Sequence, residues 1–241
     1  MSTFISDFEP FLDNIFLSRK SFLPFTTIFY WKKMKKRDKK VSDSNLGKNK
    51  VIIVSGTPGV GKSTVSKQLS SKLSCRLVSI GDLVKDEGLY TQVDRKRDTL
   101  VADMNQISKR INGIISNSSE MLIVEGHYAV DVVPLEAVSL VFVLRRDPEE
   151  LRDVLRKRGY GEEKIRENVA AEILDVCLYD AVDRCGVDKV CEVNVTGRTA
   201  EEVVNEVQQV LQGKKKRKIG TVDWLGKLNF EGKIDEYLKD F

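Results

Sequence analysis

The chain has 241 residues, of which 41% are hydrophobic and 32% charged, so it can build a packed core as one domain with extensions or as two small domains. No uncharged apolar run approaches the roughly 18 residues of a membrane span, which excludes a spanning helix and predicts a cytoplasmic protein with no membrane partner. The net charge of +4 hides an uneven distribution: residues 31–50 carry +7, Lys214 to Lys218 carry +5, and the remainder is acidic at −8. Such a pattern steers a polyanion toward the basic patches, although charge runs also serve as solvated linkers.

The first thirty residues hold seven of the ten phenylalanines and no Val, Gly or Ala, a composition that marks a boundary. Asp7, Glu9 and Asp13 argue against a secretory or mitochondrial leader. Residues 1–49 therefore read as an N-terminal extension, either disordered or peripheral, or as untranslated sequence read through ahead of a start at Met34. From Val51 onward β and α signals alternate. Strands are predicted at 51–54, 76–80, 121–124, 140–144 and 189–195, and helices at about 62–73, 99–115, 148–157, 162–184 and 200–212. In the fourth helix Ile165, Val169, Ile173, Val176 and Cys177 make one apolar stripe, and Thr199 with Glu202 forms a capping box for the last. Five strands alternating with helices predict an α/β fold with a three-layer core around a parallel sheet over residues 50–212, followed by a basic tail at 213–241. Cys75, Cys177, Cys185 and Cys191 are scattered without metal-ligand spacing and read as reduced thiols.

The sharpest chemical signal is GTPGVGKST at 56–64, between an apolar strand and a helix, which fits G-x-x-x-x-G-K-[ST]. Its glycines allow the backbone N–H groups to turn inward around phosphate, and the helix start adds its positive end. Lys62 would reach the β- and γ-phosphates of ATP, and the Ser63 hydroxyl would join the Mg²⁺ shell. Glu125, at the end of the strand candidate Leu122-Ile123-Val124, supplies the acid such a site needs near the metal, and Gly126 would leave room for phosphate. His127, the single histidine, is placed to orient a water or a polar acceptor. Arg145 and Arg146 gather positive charge after the fourth strand, and Arg158 with Gly159 and Tyr160 could deliver a cation from a hinged flap.

Taken together, GTPGVGKS, Ile80-Gly81-Asp82-Leu83, Glu125-Gly126-His127, Arg158-Gly159-Tyr160 and the stretch from Asn168 to Glu172 resemble the adenylate kinase isoenzyme six family in its archaeal form, over about residues 50–212. The resemblance implies a P-loop kinase core with an acceptor-binding insert near 79–102 and a short lid near 157–168. It also implies adenylate kinase and ATPase activity with AMP as acceptor. A role in small ribosomal subunit assembly and rRNA maturation follows from it too, with a small-subunit ribosomal protein and pre-ribosomal RNA as partners. Carried over, Gly59, Val60, Gly61, Lys62, Ser63, Thr64 and Arg158 would bind ATP. Lys62, Glu125, His127 and Arg158 would be catalytic, and Ser63 and Glu125 would hold the metal. Lys85 stands where adenylate kinases usually carry Arg, so the grip on an AMP phosphate would be looser. An ATP-driven assembly switch with little transferase activity, or a kinase of another small metabolite, remain the competing readings. Trp224 has two possible fates, stacking on a base or folding back on the core.

Overall fold

The computed structural model describes residues 50–94 and 99–239. The N-terminal expectations, Met34 included, fall outside the described residues. Those described divide into a larger unit, residues 50–224, and a short C-terminal one, residues 225–239.

In the larger unit the elements run β1 (Val51–Ser55), α1 (Lys62–Leu73), β2 (Arg76–Ser79), α2 (Ile80–Asp86), β3 (Tyr90–Asp94), β4 (Thr99–Ala102), α3 (Met104–Ser116), β5 (Leu122–Glu125), α4 (Ala129–Val132), β6 (Val138–Arg145), α5 (Pro148–Lys157), α6 (Glu162–Ile173), α7 (Val176–Cys185), β7 (Val190–Asn194) and α8 (Ala200–Leu211). Five strands form a parallel sheet in the order β2-β5-β1-β6-β7, as the alternation predicted. β1 is wholly buried, which is why it reads as an unbroken Val-Ile-Ile-Val run rather than an alternating one. Helices flank the sheet: α1 packs against α8, and α4 packs with α3 and α7. Helix α9 (Trp224–Phe230) starts at the last residue of the larger unit and runs on into the C-terminal one, which also holds α10 (Ile234–Leu238).

Three expectations need correction. The helix predicted over 99–115 begins at Met104, because Thr99–Ala102 pairs antiparallel with Tyr90–Asp94 in a separate hairpin. Asp103 marks the true start, its carboxylate accepting from Asn105 N (3.1 Å) and Gln106 N (3.0 Å). The helix predicted over 162–184 breaks in two at Asp175, whose φ of 60° is left-handed. Gly126, expected to make room for phosphate, is instead pressed against α2: a Cβ there would lie 3.1 Å from Ile80 Cβ.

Candidate active site

β1 lies in the middle of the sheet, so the loop that follows it opens where its neighbours β5 and β6 also end. Residues 56–61 form a tight arch in which Gly56 and Gly59 leave no room for a side chain. Gly56 has φ +135°, and a Cβ on it would sit 2.4 Å from the Leu144 carbonyl oxygen. Gly59 has φ +98°, and its Cβ would meet Leu151 Cδ1 at 2.7 Å. The arch ends at Gly61, the cap residue of α1, so the helix presents its free N–H groups and positive end to the loop.

Gly59, Gly61, Lys62, Ser63, Thr64 and Arg158 line one cavity of about 110 Å³, with Pro58. The structure thus brings the loop and the expected lid arginine, more than ninety residues apart in the chain, to a common space. Of the residues expected to bind ATP, Val60 is the exception, its side chain fully buried. Lys62 Nζ donates to the carbonyls of Gly56 (2.7 Å) and Thr57 (3.0 Å). Burial holds its pKa below the ordinary value, against the opposing pull of Glu125 and Glu172. Ser63 Oγ donates to Glu125 Oε1 at 3.1 Å. These two side chains offer adjacent hard oxygens beside a phosphate-binding loop, the donor chemistry that suits Mg²⁺ when a nucleotide supplies the remaining ligands.

His127 stands within electrostatic reach of Lys62. Burial, aided by that charge, pushes its pKa down to about 3, so the imidazole is neutral at physiological pH. Its ring meets that of Tyr128 edge-on at 4.0 Å, and its carbonyl accepts from Ser55 Oγ at 3.3 Å. Opposite, the turn at Arg158–Gly161 leads into α6, where Lys164 Nζ donates to Thr99 Oγ1 (2.7 Å) of the hairpin and lies 4.7 Å from the Tyr160 ring centroid. The expected lid and the expected insert therefore touch. A larger hollow of about 310 Å³ lies along the outer strand β2, lined by Asp82, Asp86, Glu87, Arg76 and Arg110 among others. Arg110 is already held there by Glu87 in a two-pronged pair, 2.7 Å at the shortest, and no loop residue lines it.

The two arginines after β6 part ways. Arg146 does stand at the loop, with Nη2 3.5 Å from the Val60 carbonyl and Nη1 3.0 Å from Glu150. Arg145, expected to add charge for phosphate, is 1% exposed and takes no part. It donates to Glu172 Oε1 (2.8 Å), Glu192 Oε1 (2.8 Å) and Asp175, inside the core. Burial opposes its charge, but the three carboxylates more than offset this and hold the guanidinium above its ordinary pKa.

Sequence reasoning gave no role to the residues behind the loop. Thr57 Oγ1 donates to Glu172 Oε2 at 2.6 Å, and the same residue touches the Cys177 thiol, which burial pushes up to about 12 and so keeps protonated. An acid in the otherwise apolar Val169–Ile173 turn was the available signal for Glu172. All four cysteines are free thiols, as expected. Of the two fates considered for Trp224, the structure selects the second: it is 8% exposed, with Nε1 donating to Glu172 Oε1 at 3.2 Å.

Residues 52–175 match a family described as an AAA domain. A protein of Methanosarcina acetivorans named "Putative adenylate kinase" is 40% identical over 188 residues, the match covering 73% of this chain and 97% of that protein. Its namesake in Methanocaldococcus jannaschii is 39% identical over 176 residues, covering 73% of this chain and 93% of the relative. A crystal structure of a gluconokinase from Sinorhizobium meliloti superposes with a TM-score of 0.45 at 17% identity, covering 70% of this chain and 94% of that one.

Proposed function

Because this chain belongs to the adenylate kinase family of its archaeal relatives, within the P-loop NTPases, we propose that it transfers the γ-phosphoryl group of ATP to AMP, giving two ADP, and hydrolyses ATP when water takes the acceptor's place. The observation that carries this reading is the single cavity shared by Lys62, Ser63 and Arg158, with Glu125 hydrogen-bonded to Ser63. The loop N–H groups and the α1 terminus bind the phosphates, and Lys62 offsets charge on the transferring group. Arg158, across the cavity, stabilises the equatorial oxygens as the bond to the β-phosphate oxygen breaks. A bound Mg²⁺, held by Ser63 and Glu125, would neutralise charge between the β- and γ-phosphates. Neutral His127 can accept a hydrogen bond from the attacking water in the hydrolysis branch and orient it without adding charge. Product analysis tests this: ATP with AMP should give ADP faster than ATP with other nucleoside monophosphates, with non-nucleotide acceptors or with water. Transfer to a non-nucleotide acceptor in preference to AMP would favour a metabolite kinase.

We further propose that the enzyme acts in small ribosomal subunit assembly, where hydrolysis resets its hold on pre-ribosomal RNA and a ribosomal protein. What supports this is the family resemblance and the exposed Lys214, Lys216, Arg217 and Lys218, just beyond the last core helix. Binding of the purified protein to rRNA fragments, compared with and without ATP, tests it.

A further inference from the structure

Glu172 is 1% exposed, and its two carboxylate oxygens are used differently. Oε1 accepts from Arg145 Nε (2.8 Å), the Arg146 backbone N–H (3.1 Å) and Trp224 Nε1 (3.2 Å). Oε2 accepts from Thr57 Oγ1 (2.6 Å). A carboxylate is planar and rigid, so donors that fix one oxygen also fix the direction in which the other faces. Thr57 in turn offers Lys62 one of its two carbonyl partners.

We propose that Trp224 is a positioning residue of the phosphate-binding loop: its indole N–H orients the Glu172 carboxylate, and Glu172 sets the Thr57 hydroxyl and the carbonyl against which Lys62 lies. Trp224 and Thr57 are 167 positions apart, yet one side chain separates them. The chain leading to Trp224 is fastened to the same cluster. Glu192 Oε2 accepts from Thr221 N (2.6 Å), Thr221 Oγ1 (2.8 Å) and Val222 N (3.2 Å), while its Oε1 takes Arg145. Glu192 N also donates to the Lys218 carbonyl at 2.7 Å. A buried indole needs an acceptor, and any carbonyl would satisfy it. Here the acceptor is the charged group that grips the loop, so losing the donor reaches the nucleotide. The segment from Lys218 to Trp224 is thereby fastened to the support of the ATP site rather than appended as a free tail.

The inference rests on the phosphate-loop reading, and steady-state kinetics on the full chain separate the two. Trp224→Phe keeps an aromatic ring and removes the donor; it should raise KM for ATP about fivefold with kcat and KM for AMP unchanged, as expected when ground-state and transition-state binding weaken together. Thr57→Val should raise KM for ATP at least as much, Thr57→Ser should restore it, and the double variant Thr57→Val/Trp224→Phe should be no worse than Thr57→Val alone. Trp31 and Trp224 are the only tryptophans, so in a Trp31→Phe background indole emission reports Trp224. That emission should change when a non-hydrolysable ATP analogue binds, and the change should vanish in Thr57→Val. An unchanged KM for ATP in Trp224→Phe, or additive losses in the double variant, overturns the proposal even if melting temperature falls. Should Trp224→Phe fail to fold, a silent emission in the Trp31→Phe background on analogue binding overturns it instead. Undiminished activity in Lys62→Ala would strike the underlying loop assignment, not this coupling alone.

Discussion

Arg145→Met replaces the one buried cation among Glu172, Asp175 and Glu192 with an apolar side chain of similar length. Removing one partner of a buried ion pair costs about 3–5 kcal/mol, since the remaining charge loses its compensation, and here three carboxylates are left facing one another. Set against a typical stability of about 5–15 kcal/mol, that is enough to move the unfolding midpoint by roughly 2 M urea at a slope of about 2 kcal/mol/M. The loss should depend on pH in a defined sense. Asp175 is raised to about 6, by burial above all, so between pH 4 and 6 the folded state holds more protons than the unfolded one and stability falls as pH rises. Without Arg145 the folded-state value climbs further, the window extends above 6, and the variant should be weakest near pH 8 and recover as the solution is acidified. Urea unfolding followed by circular dichroism at pH 5, 6, 7 and 8 measures this, with Glu172→Gln/Asp175→Asn/Glu192→Gln added to Arg145→Met as the compensated control. A variant within about 1 kcal/mol of the parent at pH 8, or one that weakens on acidification, would refute the reasoning.

Lys62→Ala should lower both ATPase and transferase rates by about a hundredfold or more while the melting temperature holds, as read by coupled assays beside a thermal melt. Gly56→Ala places a Cβ 2.4 Å from the Leu144 oxygen at a φ of +135°, so it should cost about 3 kcal/mol and lower the melting temperature by roughly 6–12 °C. His127 is held near pKa 3, so the unfolded chain binds its proton first, and this residue erodes stability as pH falls from 6.5 toward 3. His127→Gln should therefore lose less stability over that interval, with ATP hydrolysis depressed more than transfer to AMP; equal kinetic losses would reduce the residue to a structural one. Lys215 is paired with Glu206, so the free charges to remove are Lys214, Lys216, Arg217 and Lys218. Changing those four to Ser should leave the bare ATPase rate alone and flatten the salt slope of RNA binding by roughly 3; an unchanged slope refutes an RNA role for the segment.

The phosphate loop was legible because its requirements are local: a buried strand, glycines at positive φ, and a helix start follow one another within fifteen residues. The centre of the sheet was legible for a similar reason, since the wholly buried β1 and β5 announce themselves as short apolar runs. The hairpin was not, because antiparallel pairing of Gln92 with Val101 is a relation between segments, and Leu100 and Val101 fit a helical stripe equally well. Asp103 followed by Gln106 was a readable helix start that the periodicity overrode. Arg145 and Arg146 look equivalent in sequence. At the end of a strand, successive side chains leave on opposite faces, so one enters the core and the other reaches the loop. Which one does which depends on where β6 ends.

The break at Asp175 has a consequence for how the loop is gripped. Glu172 and Cys177 are five residues apart, and on an unbroken helix, turning about 100° per residue, their side chains would diverge by roughly 140°. They nevertheless both lie beside Thr57, with Glu172 Oε2 accepting from its hydroxyl. The left-handed residue between them resets the phase, so α6 and α7 approach the same residue from separate axes. A chain that healed the kink into one straight rod would gain helical hydrogen bonds and turn one of the two away from Thr57. The kink at this point is therefore a rotational adjustment, not a defect of the helix.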